Sequence, residues 1–134
     1  MTWTLSRDLA ERMVAHALAD HPIEACGVLL GTGGVASEVV PLTNVAHSAS
    51  FYEVDSAELL ALYRRLDTEG LDLVAIYHSH TSTPARPSTT DVELAFEPHA
   101  YYVLLSTARE AVDLAAFRIV DGNVDPVDLR IGVP

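Results

Sequence analysis

The sequence predicts an α/β fold: one domain over residues 1–134, with a curved, mostly antiparallel mixed sheet flanked by two main helices and one further short helix. Three observations predict it. Short apolar runs of strand length are bounded by glycine, proline and Asp-Gly turn signals. Two longer stretches repeat apolar residues at helical spacing. The 134 residues are 49% hydrophobic, which suffices for one core without disulfides or a structural metal.

Trp3–Leu5 is expected as a short strand. Ser6 is placed to cap the next helix, and Asp8 sits near that helix's positive end. Leu9, Met13, Ala17 and Leu18 recur at helical spacing, predicting a helix over Arg7–Ala19 that Pro22 closes. Ala25–Gly31 reads as a buried strand, Gly33-Gly34 turns the chain, and Val35–Pro41 returns as a second strand. Phe51–Val54 is expected as a third. Asp55 followed by Glu58 is an acidic form of the capping box. Leu59, Leu62, Tyr63 and Leu66 then mark an amphipathic helix ending at Gly70, since glycine readily takes the left-handed conformation that terminates helices. Leu73–Tyr77 is an apolar strand running directly into His78-Ser79-His80. Thr81–Pro87 is a loop and Thr89–Phe96 a short helix. Tyr101–Leu105 and Val112–Val120 are strands, and Asp121-Gly122-Asn123 turns the last of them into Val124–Arg130.

The formal net charge is −11, and all eight basic residues are Arg. Such a surface repels phosphate backbones and anionic lipid, which argues against nucleic-acid and membrane partners. The single cysteine, Cys26, excludes an internal disulfide and a cysteine-based zinc site. It also excludes the Pro-Cys-x-x-Cys signature of the zinc deaminases. No run of about 18 apolar residues is present. The N-terminus lacks the basic and apolar regions of a signal peptide, so a cytoplasmic protein is expected.

The chemistry concentrates at the end of the Leu73–Tyr77 strand. His78 and His80 stand at i and i+2, and in an extended chain such residues point the same way. The loop that follows is long enough to turn back, so Asp91, in the first turn of the next helix, can supply a third ligand. Two imidazoles and a carboxylate leave a fourth tetrahedral position for water, the arrangement of a catalytic rather than a structural zinc. Glu24, a carboxylate opening a buried apolar strand, is the candidate base. Taken singly, Ser88 is an N-cap and Asp91 a first-turn acid. With this chain's residue usage, His-x-His-x7-Ser-x2-Asp arises by chance in roughly one such chain per thousand, so the joint pattern outweighs the separate readings.

Glu24 followed by Ala-Cys-Gly-Val-Leu-Leu-Gly, with His78-Ser-His80, Ser88 and Asp91, resembles the motif of the JAMM/MPN+ zinc metallopeptidases, and all five motif positions are filled. The resemblance runs from the first helix to the last hairpin and implies that family's cytidine deaminase-like architecture. It implies zinc held by His78, His80 and Asp91, Glu24 as general base, and Ser88 as a donor to the oxyanion. Asp20-His-Pro-Ile-Glu-Ala-Cys-Gly-Val-Leu, Ile76-Tyr-His-Ser-His-Thr, Pro87-Ser-Thr-Thr-Asp and Tyr102-Val-Leu-Leu-Ser-Thr are similar to the family's short bacterial branch. That implies a ubiquitin-like sulfur carrier protein with a C-terminal Gly-Gly as partner, and release of cysteine from a carrier–cysteine adduct. Trimming a C-terminal extension from the carrier is the enzymatic alternative, and a non-catalytic MPN-type scaffold the alternative of another class. The chain has little room for the insertions with which eukaryotic deubiquitinases of the family grip ubiquitin.

The remaining polar residues read as structural. Cys26 is expected as a buried small hydrophobe. His16 is expected on a helix surface, His21 at a helix end, and His47 and His99 in exposed loops. Arg86 reads as a solvated loop charge, and Asn44 as a residue bonding nearby backbone without a chemical role.

Overall fold

The computed structural model of the chain describes residues 1–132. Its elements are β1 (Thr2–Leu5), α1 (Arg7–Asp20), β2 (Cys26–Thr32), β3 (Val35–Leu42), α2 (Ser56–Glu69), β4 (Asp72–His80), α3 (Thr89–Leu94), β5 (Tyr101–Ser106), β6 (Asp113–Val120) and β7 (Asn123–Ile131). The strands form one mixed sheet in the order β1-β7-β6-β5-β4-β2-β3. β1 pairs β7 in parallel and β4 pairs β5 in parallel; the other neighbours are antiparallel. Irregularities in register around Leu29–Gly31 bend the β2 side of the sheet.

The helices cover opposite faces. α1 starts where the Ser6 hydroxyl accepts the Leu9 amide at 3.3 Å. It buries Leu9, Ala10, Met13 and Ala17 against Trp3, Leu5, Leu29, Tyr77, Val103 and Leu105. α2 buries Leu62 on the other face, against Cys26, Val28, Leu30, Ile76 and Leu104. Successive strand residues point to opposite faces, so Leu29 faces one core while Val28 and Leu30 face the other. Strands buried on both faces read as unbroken apolar runs, which is why Ala25–Gly31 and Leu73–Tyr77 stand out in the sequence. Gly27 lies over the ring of Tyr77, and a β-carbon there would stand 2.4 Å from it. The Tyr77 hydroxyl meets His16 Nδ1 at 2.6 Å, and His16 Nε2 meets Asp20 at 3.1 Å. No helix among the described residues is long and apolar enough to cross a membrane.

Several expectations need correction. Phe51–Val54 is not a strand: only Val54 bridges, to Asn44, and the Asn44 side chain takes the backbone groups of Phe51 and Glu53 that a ladder would use. β4 runs through His80 rather than stopping at Tyr77, because Ser79 and His80 still pair with Leu105 and Ser106 of β5. α3 ends at Leu94, since the Tyr102 hydroxyl accepts the amides of Phe96 and Glu97 and draws them out of the helix. The Asp55 carboxylate caps α2, yet Glu58 does not close the box; its carboxylate accepts from the amide and hydroxyl of Thr43 instead. Leu18 is exposed, outside the buried stripe of α1. His16 is half-buried rather than a surface residue, drawn in by the Tyr77 hydroxyl.

Candidate metal centre

The site forms where β4 reaches the end of its parallel pairing with β5. His78 pairs with Cys26 and Leu104, His80 with Ser106, and both imidazoles are buried. Ser79, between them, points to the other face. Its hydroxyl accepts the Ala25 amide at 2.8 Å and its own amide donates to the Ala25 carbonyl at 3.0 Å. This ties the chain just ahead of β2 to the histidine strand.

The loop after His80 is pinned at three points. The Thr81 hydroxyl donates to the Ala49 carbonyl at 2.8 Å, the Ser106 hydroxyl to the Thr83 carbonyl at 2.6 Å, and His80 Nδ1 lies 2.9 Å from the Pro84 carbonyl. The chain then enters α3 through a capping box. Ser88 Oγ accepts the Asp91 amide at 3.1 Å, and Asp91 Oδ2 accepts the Ser88 amide at 2.9 Å. That same Oδ2 lies 3.2 Å from His78 Nε2 and 3.0 Å from His80 Nε2, and the two imidazole nitrogens are 3.3 Å apart.

Proton bookkeeping shows what this cluster suits. A carbonyl only accepts, so His80 Nδ1 carries its hydrogen toward Pro84 and the neutral ring offers a lone pair at Nε2. That nitrogen faces a carboxylate oxygen and a second imidazole nitrogen. A divalent cation held by these three atoms would satisfy all of them at once, and the second histidine nitrogen bonded to a carbonyl is the usual way of orienting a metal-ligating imidazole. Among the described residues, His78 Nδ1 is buried without a hydrogen-bond partner, and the Tyr52 ring stacks on this imidazole at 4.6 Å. Burial holds His78 below the ordinary histidine range, with Asp91 opposing. Burial also pulls His80 down, but its bonds to Asp91 and Pro84 prevail and raise it. The Asp91 carboxyl is pushed up by burial and held far below the usual range by its stronger set of bonds to His78, His80 and the Ser88 amide.

Glu24 is buried and lines a cleft of about 260 Å³ together with His80, Ser88 and Asp91. Burial pushes its carboxyl up to about 7, with the His80 charge opposing and the Asp91 charge adding. The five residues singled out in the sequence thus converge. The others lie apart: Arg86, His47 and His99 are exposed and do not line the cleft. Cys26 is buried beside His78 in the ladder, and burial pushes its thiol up to about 12, so it behaves as a small apolar residue. Three residues around the site escaped the sequence reading. Ser79 carried a signal, as a hydroxyl inside a doubly buried strand. Tyr52 was hidden in a supposed strand. Thr81 looked like any loop threonine.

The chain is similar to known proteins. The family model described as prokaryotic homologs of the JAB domain matches residues 6–120. The CysO-cysteine peptidase of Mycobacterium tuberculosis is 49% identical over 127 residues, covering 91% of this chain and 87% of that protein. The "Probable TtuB-protein conjugate cleaving protease" of Thermus thermophilus is 42% identical over 90 residues, covering 66% of this chain and 60% of that protein. A solution structure of a Desulfitobacterium hafniense protein superposes with a TM-score of 0.82 at 33% identity, covering 98% of this chain and 95% of that one. On this kinship and the clustered histidines and aspartate, the chain belongs to the prokaryotic homologs of the JAB domain and is a peptidase of that family.

Proposed function

We propose that this peptidase is zinc-dependent and hydrolyses the bond after the C-terminal Gly-Gly of a ubiquitin-like sulfur carrier, releasing cysteine from a carrier–cysteine adduct in the cytoplasm. The observation that carries the reading is the convergence of His78 Nε2, His80 Nε2 and Asp91 Oδ2 within 3.0–3.3 Å of one another, with a buried Glu24 lining the adjoining cleft. His78, His80 and Asp91 hold the metal; two imidazoles and a carboxylate suit zinc among the common divalent ions. Zinc bound there supplies a Lewis acid and makes water acidic enough to attack near neutral pH. Glu24 takes the proton from the attacking water and passes it to the leaving amine, a task for which a carboxyl raised by burial is suited. Ser88 Oγ uses its acceptor side on the Asp91 amide, which leaves its hydrogen free to donate to the developing oxyanion. The substrate is inferred from the 49% identical CysO-cysteine peptidase, and the lone buried thiol suits a reducing compartment.

The test is incubation of the purified protein with a carrier ending in Gly-Gly-Cys, followed by mass spectrometry. Loss of one cysteine from the carrier, abolished by chelator and restored by zinc, is the expected result. Full activity after verified metal removal overturns it. A second reading is favoured by the Thermus relative: cleavage of larger groups joined to the carrier's terminus, including a C-terminal extension. A carrier with an extension processed faster than the cysteine adduct selects that reading.

A further inference from the structure

Glu24 is not held by the sheet. β2 begins at Cys26, and the backbone groups of Glu24 turn instead to the segment 44–48. Its amide donates to the Ser48 carbonyl at 2.9 Å, and its carbonyl accepts from Asn44 Nδ2 at 3.0 Å. Asn44 is buried, and its side chain makes every bond available to it. Nδ2 also donates to the Phe51 carbonyl at 3.0 Å, while Oδ1 accepts the amides of Ala46 at 3.1 Å and Glu53 at 3.0 Å. With the amide turned over, two carbonyls would face an oxygen and two N–H groups a nitrogen, so only this orientation satisfies the network. The segment folded around Asn44 supplies Ala49, Ser50, Phe51 and Tyr52 to the cleft wall.

We propose that Asn44 is the positioning residue for Glu24: one carboxamide folds the 44–53 segment into the wall of the cleft and fixes the main chain from which the Glu24 carboxylate reaches it. This rests on Glu24 being the base, as proposed above. Asn44→Asp separates the two halves of the network, since it keeps an acceptor for Ala46 and Glu53 but removes both donations.

Zinc-loaded Asn44→Asp and Asn44→Ala proteins are assayed on the Gly-Gly-Cys carrier, with Glu24 intact and in a Glu24→Gln background, and bound zinc is measured. With Glu24 intact, kcat is expected to fall between about tenfold and a hundredfold, as for a misplaced catalytic group, while KM and zinc content hold. In the Glu24→Gln background, Asn44→Asp should add nothing to the residual rate. An equal loss in both backgrounds, an unchanged kcat, or loss of zinc in step with activity overturns the role of Asn44. A Glu24→Gln protein as fast as the parent overturns the base assignment instead. Amide hydrogen exchange provides a readout independent of turnover. In Asn44→Asp, the Glu24 amide should exchange at least about tenfold faster while the amides of β2 keep their protection. An unchanged Glu24 amide likewise overturns the proposal.

Discussion

Asp91 does two jobs with one oxygen: Oδ2 closes the capping box of α3 and faces both imidazoles. Ser88 caps with its lone pair, and the donor role proposed for it would use the hydroxyl hydrogen. Ser88→Ala is therefore expected to lose about 1 kcal/mol of stability through the cap and about a hundredfold in kcat through the missing donor. Ser88→Asp keeps an accepting oxygen for the cap but has no hydrogen to donate, so thermal melts beside kinetics on both variants separate the contributions. Glu24 gives a prediction with a definite sign. Its carboxyl is raised from 4.5 to about 7 in the fold. The unfolded chain thus releases that proton first, and the group's contribution to stability is full below the unfolded value and lost as pH rises toward 7. Urea unfolding of metal-free protein between pH 4.5 and 7 should show this decline, and Glu24→Gln should flatten it. A bound divalent cation draws the carboxyl down and weakens the same slope.

Among the elements, β2 and β4 are locked together where Gly27 leaves room for the Tyr77 ring. The Tyr77 ring cannot swing away without breaking its bond to His16. Gly27→Ala is expected to cost about 1–3 kcal/mol or more by overpacking, read from the urea midpoint. What was legible in the sequence follows the same physics. The β4 strand announced itself because both its faces are buried and it ends in His78 and His80. The caps at Ser6, Asp55 and Ser88 were legible because capping is a local preference. The segment around Phe51 was not, because its apolar letters match a strand while its backbone bonds to one distant side chain. The sequence points to Asn44 bonding nearby backbone; that it also reaches Glu24, twenty positions away, is a tertiary fact no local pattern encodes. The early stop of α3 likewise depends on Tyr102, which lies beyond the helix.

At the scale of the molecule, one sheet with a helix on each face places the centre at the end of an inner strand, with β2 on one side and β5 on the other. The net charge of −11 favours encounter with basic or neutral surfaces, so a carrier that docks productively should present few acidic groups around its tail. The two halves of the centre are anchored very differently. β4 is buried from Val74 to His80, whereas α3 contains no buried residue. Mild denaturant should therefore peel away the short helix while the strand still stands, turning a three-point grip on the ion into a two-point one. A urea titration followed by a metal indicator and by circular dichroism should show zinc escaping at a lower concentration than the one that melts the sheet. Handling that leaves the protein folded by every bulk criterion would then already have emptied it, and the first casualty of mild stress would be the cargo rather than the vessel.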